Sequence, residues 1–179
     1  MLDVNADVHA IAQRLQLSGV PPECLNVGLR LPGVWSTFEA GCRAILGQQI
    51  SVKAAINLLT LLSATLGDKK VDALYFPSPS MVATSDLSFL KIPASRRHTL
   101  QAFAHWYEQH PQGDIKEWIN IKGIGPWTVA YAQLRGASLP DIWLTTDLVI
   151  KNQLKKYAIK PDVARPWRSY LTLQLWTLA

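Results

Sequence analysis

The sequence predicts an all-α fold, and three observations support this prediction. Apolar residues recur at helical intervals, in segments bounded by typical capping residues. No segment shows the sustained alternation of apolar and polar residues that is typical of strands. Leucine, alanine and isoleucine dominate the 49% of residues that are hydrophobic, which favours helix over sheet. With 179 residues, the chain is expected to form one domain or two small lobes that share an interface.

Serine, proline and glycine divide the first half of the chain into helices. A helix is expected over residues 4–17, followed by a connector rich in proline and glycine at residues 21–33. Ser36 and Glu39 have the spacing of a capping box, and Ser51 is expected to cap a further helix that ends at Gly67. Apolar residues at helical spacing in these two helices are Phe38, Cys42, Ile45 and Leu46, then Ile56, Leu59, Leu62 and Leu66.

The second half continues the same pattern, for roughly ten helices in all. Short helices are expected at residues 80–83 and 86–90, and a longer one at residues 94–110. A helix at residues 115–121 precedes a glycine-rich turn, after which a helix runs to about Arg135. The last two helices are expected to start near Thr146 and to cover residues 164–178.

The cysteine content argues against several classes of protein, whereas the net charge does not decide between them. The formal net charge is +5 and the pI is near 9.3; this excess permits binding to a polyanion, but plain solubility explains it equally well. The two cysteines, Cys24 and Cys42, form no CxxC pair, which argues against a disulfide framework, a structural zinc site and an iron–sulfur cluster. The first ten residues do not resemble a signal peptide, and no apolar run reaches membrane-spanning length. We therefore expect a soluble, cytoplasmic protein without a membrane partner.

One stretch, IKGIGPWTVAYAQLRG at residues 121–136, combines a tight turn with the start of a helix. Gly123 and Gly125 can adopt positive φ angles and allow another backbone to come close, and Pro126 fits the first helical position. Free amides at such a helix start attract anions. A plain corner between two helices is the alternative, and the turn alone does not decide between them.

Together with three further segments, this stretch resembles the helix-hairpin-helix DNA glycosylase superfamily. The segments are LRLPGVWSTFEAGCRAILGQQISVKAA, DIWLTTDLVIKNQL and RPWRSYLTLQLW, and they follow in order over nearly the whole chain. Within the superfamily, the resemblance is closest to the alkylation-repair branch, DNA-3-methyladenine glycosylase II. It implies a two-lobed helical fold with a lesion pocket between the lobes. The chain is expected to be one core at residues 1–179, with the hairpin at about 115–136 and without the β-rich N-terminal domain of some members.

The resemblance places the catalytic carboxylate at Asp147, in the sequence TTD at a predicted helix start. Loss of a base builds positive charge on the deoxyribose, and a buried carboxylate can stabilise that charge or align a water molecule. Without the resemblance, an acid in the first turn of a helix is more simply explained by the helix dipole.

Three aromatic residues are expected to line the pocket for the extruded base. Trp127 and Tyr131 are four residues apart on one helix face, and Trp176 lies on the last helix; without the resemblance, all three would be assigned to the core. Methylated purines carry positive charge, which aromatic faces attract. Strand-cutting relatives carry a lysine at the position of Trp127, and tryptophan cannot form the Schiff base. A monofunctional enzyme is therefore expected.

The resemblance also assigns residues that contact DNA. They are Gln48 and Gln49, of which Gln49 is expected to fill the gap left by the flipped base, and the hairpin residues Lys122, Gly123, Ile124 and Gly125. Lys122 replaces the proline that is usual before the first glycine. Backbone carbonyls near Ile119, Ile121 and Gly123 are expected to hold a monovalent cation, Na⁺ or K⁺, that bridges the hairpin to a phosphate.

These features predict a monomeric, monofunctional DNA glycosylase of base excision repair. Its expected reaction is hydrolysis of the N-glycosidic bond of alkylated bases such as 3-methyladenine in duplex DNA, after base flipping. No catalytic cofactor is expected, since the nucleophile is water. The alternatives are a non-catalytic helix-hairpin-helix DNA-binding module, a glycosylase for a deaminated or oxidised base, and a purely structural helical protein.

Overall fold

The computed structural model describes residues 3–70 and 73–178, and these are mostly helical. The all-α prediction is confirmed. The α-helices of the described residues are α1 (Val8–Leu17), α2 (Thr37–Leu46), α3 (Val52–Leu66), α4 (Pro79–Thr84), α5 (Ala94–Gln109), α6 (Pro126–Arg135), α7 (Leu148–Lys156) and α8 (Arg168–Thr177). Short 3-10 helices cover Pro22–Cys24, Ser88–Leu90, Ile115–Asn120 and Pro161–Ala164.

Side-chain caps fix the starts of the helices. Ser36 Oγ accepts a hydrogen bond from Glu39 N at 3.1 Å, and Ser51 Oγ accepts one from Ala54 N at 3.2 Å, so both predicted caps are confirmed. Helix α1 begins at Val8 rather than at residue 4, because the Asp7 carboxylate accepts hydrogen bonds from the amides of the first turn. Asp7 was therefore the missed start signal.

Helix α3 departs from its predicted apolar stripe. Leu59 and Leu62 are buried, but Ile56 is 53% exposed, so the helix presents a narrower buried face than its spacing suggests. The helix stops at Gly67 as predicted, with an extended backbone rather than a left-handed one. A Cβ at Gly67 would lie 2.2 Å from the Tyr75 carbonyl oxygen, which explains the glycine.

A small antiparallel pairing follows α3 and was not predicted. Strands β1 (Lys69–Lys70) and β2 (Ala73–Leu74) pair with Lys69 opposite Leu74. Two residues are too few to show the alternation by which strands are recognised in a sequence.

The chain divides into two compact units. The first unit contains the chain up to Trp35 and from Ala130 onward, and the second contains Ser36–Val129. The first unit packs α1, α7 and α8 with the 3-10 helix Pro161–Ala164. Its centre is α8, on which Tyr170, Leu171 and Leu175 are buried.

The second unit packs α5 against α2 and α4. Its core contains an aromatic cluster in which the Phe38 and Phe103 rings stack at 5.5 Å and the Trp118 ring meets Phe103 edge-on at 4.7 Å. Gly41 makes this packing possible, since a Cβ there would lie 2.3 Å from the Phe103 ring. The four predicted core positions of α2 are all buried. In the part of the chain that the structure describes, no helix is long and apolar enough to cross a membrane.

Candidate active site

Asp147 caps the N-terminus of α7. Its Oδ1 accepts a hydrogen bond from Ile150 N at 3.0 Å, and the residue is only 7% exposed. The sequence placed this acid in the first turn, and the structure places it one position earlier, as the cap itself. Capping fixes the carboxylate against the helix start, where the helix dipole stabilises its negative charge.

Trp176 on α8 makes a second contact with the same carboxylate oxygen. Its indole Nε1 lies 3.3 Å from Asp147 Oδ1. The ring of Tyr131 is tilted against the Trp176 ring, with centroids 6.3 Å apart. Three of the predicted site residues, Asp147, Trp176 and Tyr131, thus come together within the first unit. Tyr131 and Trp176 are half-buried rather than fully enclosed in the core.

Trp127 lies one helical turn before Tyr131 on α6 and is half-buried. The boundary between the two compact units falls inside α6, so that Trp127 belongs to the second unit and Tyr131 to the first. The assignment of Trp127 to the pocket stays a prediction.

The hairpin between Ile115–Asn120 and α6 has one glycine with a special backbone. Gly123 has φ +92, and a Cβ there would lie 2.1 Å from Thr99 Oγ1 on α5. Ile124 N donates to Ile121 O at 3.0 Å and closes the turn. Gly125 does not adopt the positive φ that a glycine allows, and a Cβ on Gly125 would meet no atom within 4 Å. Gly123 is thus required by the fold, and Gly125 leaves open space beside the helix start.

The two glutamines before α3 have different surroundings. Gln48 Nε2 donates to Gly123 O at 3.1 Å and to Thr128 Oγ1 at 3.2 Å, so its amide holds the hairpin. Gln49 is exposed and has a left-handed backbone, with φ +57. Such a backbone is uncommon for a residue other than glycine and marks strain that is often found at functional sites.

Sequence reasoning missed the residues that support these groups. Thr99 Oγ1 lies 3.0 Å from the Lys122 carbonyl and joins α5 to the hairpin.

Arg168 makes a two-pronged ion pair with Asp141, with Nε–Oδ1 at 2.6 Å and Nη2–Oδ2 at 2.8 Å. This pair ties the loop before α7 to the start of α8. Its hydrogen bonds lower the pKa of the Asp141 carboxyl below its usual value. Opposite charges 27 positions apart give no local signal in a sequence.

The same loop is held a second time by Ser169. Its Oγ accepts a hydrogen bond from Ile142 N at 2.9 Å, and its backbone amide donates to Pro140 O at 3.0 Å. Asp147 follows the loop before α7, and Trp176 lies near the end of α8. Hydrogen bonds therefore join that loop to the start of α8, at the ends of the two segments that lie away from Asp147 and Trp176 in the chain. Among the described residues, no group of three or more histidines, cysteines and acids could hold a metal ion.

Comparisons with known proteins show what the chain is similar to. The chain is 34% identical over 172 residues to DNA-3-methyladenine glycosylase 2 of Escherichia coli, a match that covers 83% of this chain and 60% of that protein. The chain belongs to the helix-hairpin-helix DNA glycosylase superfamily. No protein-family model matches it. The chain spans between 41% and 60% of the length of the curated relatives that it matches.

Solved structures share the glycosylase fold. The Schizosaccharomyces pombe 3-methyladenine DNA glycosylase Mag1, in complex with abasic DNA, superposes with a TM-score of 0.68 at 19% identity and covers 96% of both chains. The Clostridium acetobutylicum 8-oxoguanine glycosylase/lyase, bound to double-stranded DNA, gives 0.75 at 13% identity and covers 98% of this chain and 71% of that one. Similarity at these identities extends to the fold alone.

Proposed function

We propose that this chain is a DNA glycosylase that hydrolyses the N-glycosidic bond of alkylated bases, 3-methyladenine first. The observation that carries the proposal is the environment of Asp147. The carboxylate is buried, and one oxygen is held by both the Ile150 amide and the Trp176 indole. Such a group is oriented before the substrate arrives, which is what electrostatic stabilisation of a transition state requires.

The proposed reaction uses this carboxylate and a water molecule. As the bond between base and sugar breaks, positive charge develops on the deoxyribose, and the Asp147 carboxylate stabilises it. Water adds to the sugar and leaves an abasic site. Trp127 stands where strand-cutting relatives carry a lysine, and its indole has no amine that could form a Schiff base. We therefore infer that the enzyme is monofunctional.

The aromatic residues give the proposed preference for alkylated bases. Tyr131 and Trp176 present half-buried rings 6.3 Å apart beside the carboxylate, and we assign Trp127 as a third ring by its position in the motif. A methylated purine is cationic, so that its stacking on these rings is stronger than that of a normal base. Damaged pairs also cost less to open, which adds to selection.

The proposed partner is duplex DNA, held by the hairpin. The open space at Gly125 allows a phosphate to approach the helix start, where amides favour an anion. Lys122 is exposed beside it. Gln49 is exposed and itself has the strained left-handed backbone, and it is proposed to fill the gap in the duplex.

The hairpin carbonyls are compatible with the expected monovalent cation. The Ile121 carbonyl accepts a hydrogen bond from Ile124 N, and the Gly123 carbonyl accepts one from Gln48 Nε2. A carbonyl oxygen has two lone pairs, so it can accept a hydrogen bond and contact a cation at the same time. Together with Ile119, these carbonyls would hold the ion, which would supply a positive charge between hairpin and phosphate when DNA is bound.

The test is release of free bases from methylated duplex DNA by wild type and by Asp147→Asn. Asparagine keeps the helix cap but removes the charge, so we expect release of 3-methyladenine to fall about 100-fold or more with the fold retained. Asp7→Asn is the matched control, because Asp7 is also a capping aspartate; it should release bases at the wild-type rate. Duplex binding without base release by wild type would instead support the non-catalytic module, and release of a deaminated or oxidised base alone would support a different substrate.

A further inference from the structure

Helix α7 and the residues after it concentrate positive charge. Residues 148–160 contain four lysines, at positions 151, 155, 156 and 160, and no acidic residue, whereas the whole chain has 18 basic and 13 acidic residues. This segment directly follows Asp147, the cap of the same helix. The excess charge of the chain is therefore not spread evenly over its length.

The lysines of α7 share an exposed face. Ile150 and Gln153 are buried against the rest of the first unit, while Lys151, Lys155 and Lys156 are exposed. Leu148, in the first turn, is 71% exposed. None of these lysines forms a salt bridge within residues 3–70 and 73–178.

The fold alone explains only part of this face. Lys155 and Lys156 lie in the last turn, where positive charge meets the negative end of the helix dipole. Lys151 lies in the middle of the helix, and Lys155 follows it by four residues, a spacing at which like charges repel. Lys151 is thus better explained by an external partner that is anionic.

We propose that this face, defined by Leu148, Lys151, Asn152, Lys155 and Lys156, binds the phosphate backbone of the DNA strand that carries the damaged base. The inference rests on the proposed function, since it requires that the sugar of the damaged nucleotide lies at Asp147. That strand then passes the N-terminal end of α7. Lys151 and Lys155 are separated by a rise of about 6 Å along the helix, and neighbouring phosphates of one strand by a rise of about 3.4 Å along the duplex axis, a difference that two long lysine side chains can span. The two ammonium groups therefore suit two phosphates of the same strand.

The test is the salt dependence of binding to a fluorescein-labelled duplex that contains an abasic-site analogue. Each phosphate contact adds about 0.9 to the slope of log K against log salt. Lys151→Gln and Lys155→Gln are each expected to lower the slope by about one and the double variant by about two, between about 50 and 200 mM KCl. Arg14→Gln is the matched control, because it removes one exposed helical charge from the same unit; its slope should equal that of wild type.

The outcomes separate this inference from the proposed function. If wild type binds the duplex with a steep slope and the double variant has the same slope as Arg14→Gln, the α7 face does not contact DNA and only this inference fails. If wild type shows no salt-dependent binding to duplex DNA, both fail. Thermal unfolding of the double variant and of wild type checks that a changed slope does not come from a disrupted fold.

Discussion

The indole Nε1 of Trp176 lies 3.3 Å from Oδ1 of Asp147 and donates a hydrogen bond to it. The same oxygen accepts from Ile150 N, so two donors from different helices fix one carboxylate oxygen. Orientation of the carboxylate by Trp176 can be tested apart from the proposed aromatic contact of Trp176 with the base, because phenylalanine keeps a ring and removes the donor.

We expect Trp176→Phe to slow base release about tenfold, which corresponds to about 1.4 kcal/mol of activation free energy and to one hydrogen bond to a charged group. The measurement is the single-turnover rate on methylated duplex. Trp35→Phe is the control, because Trp35 is 88% exposed and is not one of the candidate site residues. A rate for Trp176→Phe equal to that control would show that the hydrogen bond does not orient the carboxylate.

The two hairpin glycines should respond differently to alanine. Gly123→Ala puts a side chain at φ +92 and 2.1 Å from Thr99 Oγ1, so we expect a loss of unfolding free energy of about 2 kcal/mol or more. Gly125→Ala meets no atom within 4 Å and should change stability by less than about 0.5 kcal/mol. Urea unfolding measures both.

The Gly125→Ala variant also tests whether the hairpin binds a DNA phosphate. If a phosphate approaches at Gly125, the added methyl group should weaken duplex binding in Gly125→Ala despite its unchanged stability. Equal duplex affinity for this variant and wild type would mean that no phosphate comes close to that backbone.

Substitutions of Gln48 and Gln49 should have different effects on the stability of the fold and on base release. Gln48→Ala removes the hydrogen bonds to Gly123 O and Thr128 Oγ1, and we expect it to cost about 1–2 kcal/mol of unfolding free energy. Gln49→Gly relieves a left-handed backbone and should stabilise the chain by up to about 1 kcal/mol while base release falls. Unfolding curves and base release, measured on both variants, test this; unchanged release by Gln49→Gly would remove Gln49 from the DNA interface.

The Asp141–Arg168 pair predicts a pH dependence of stability. Hydrogen bonds from Arg168 lower the pKa of Asp141 in the folded state, so the pair stabilises the fold above the unfolded pKa of about 3.9 and the stabilisation is lost as pH falls through the folded pKa. Asp141→Asn should therefore cost about 2 kcal/mol near neutral pH and progressively less below about pH 4. Unfolding free energies of both proteins across this range measure the difference. A constant difference at all pH values would contradict the assignment, and Asp68→Asn, at an exposed position, controls for loss of an acid.

The local signals of the sequence predicted most of the fold. Ser36 and Ser51 cap the helices that they were expected to cap, because a cap depends on residues three positions apart. The extent of α1 and the burial of Ile56 were predicted wrongly. Helix α1 begins after Asp7 because the Asp7 side chain caps it, whereas the prediction started the helix at an apolar residue at position 4. The burial of Ile56 was predicted wrongly because the face of α3 that is covered depends on residues distant in the chain.

The candidate site was also predicted only in part. Asp147, Tyr131 and Trp176 were selected by motif, and the structure brings these three together. Thr99, Asp141 and Arg168 were missed, since each acts through a partner more than 20 positions away. Gly123 and Gly125 were both expected to allow a positive φ, and only Gly123 has one; a Cβ at Gly125 would meet no atom within 4 Å.

The double use of Asp147, as helix cap and as candidate catalytic group, restricts how such a gene can decay. A copy released from selection for repair loses stability if this codon drifts to alanine or valine, because neither side chain caps a helix. Asparagine, serine, threonine and glycine are also favoured at a helix cap and carry no charge. Folded descendants that no longer excise bases are therefore expected to carry one of these four residues at this position, and they would mark where a lineage lost the chemistry but still binds DNA.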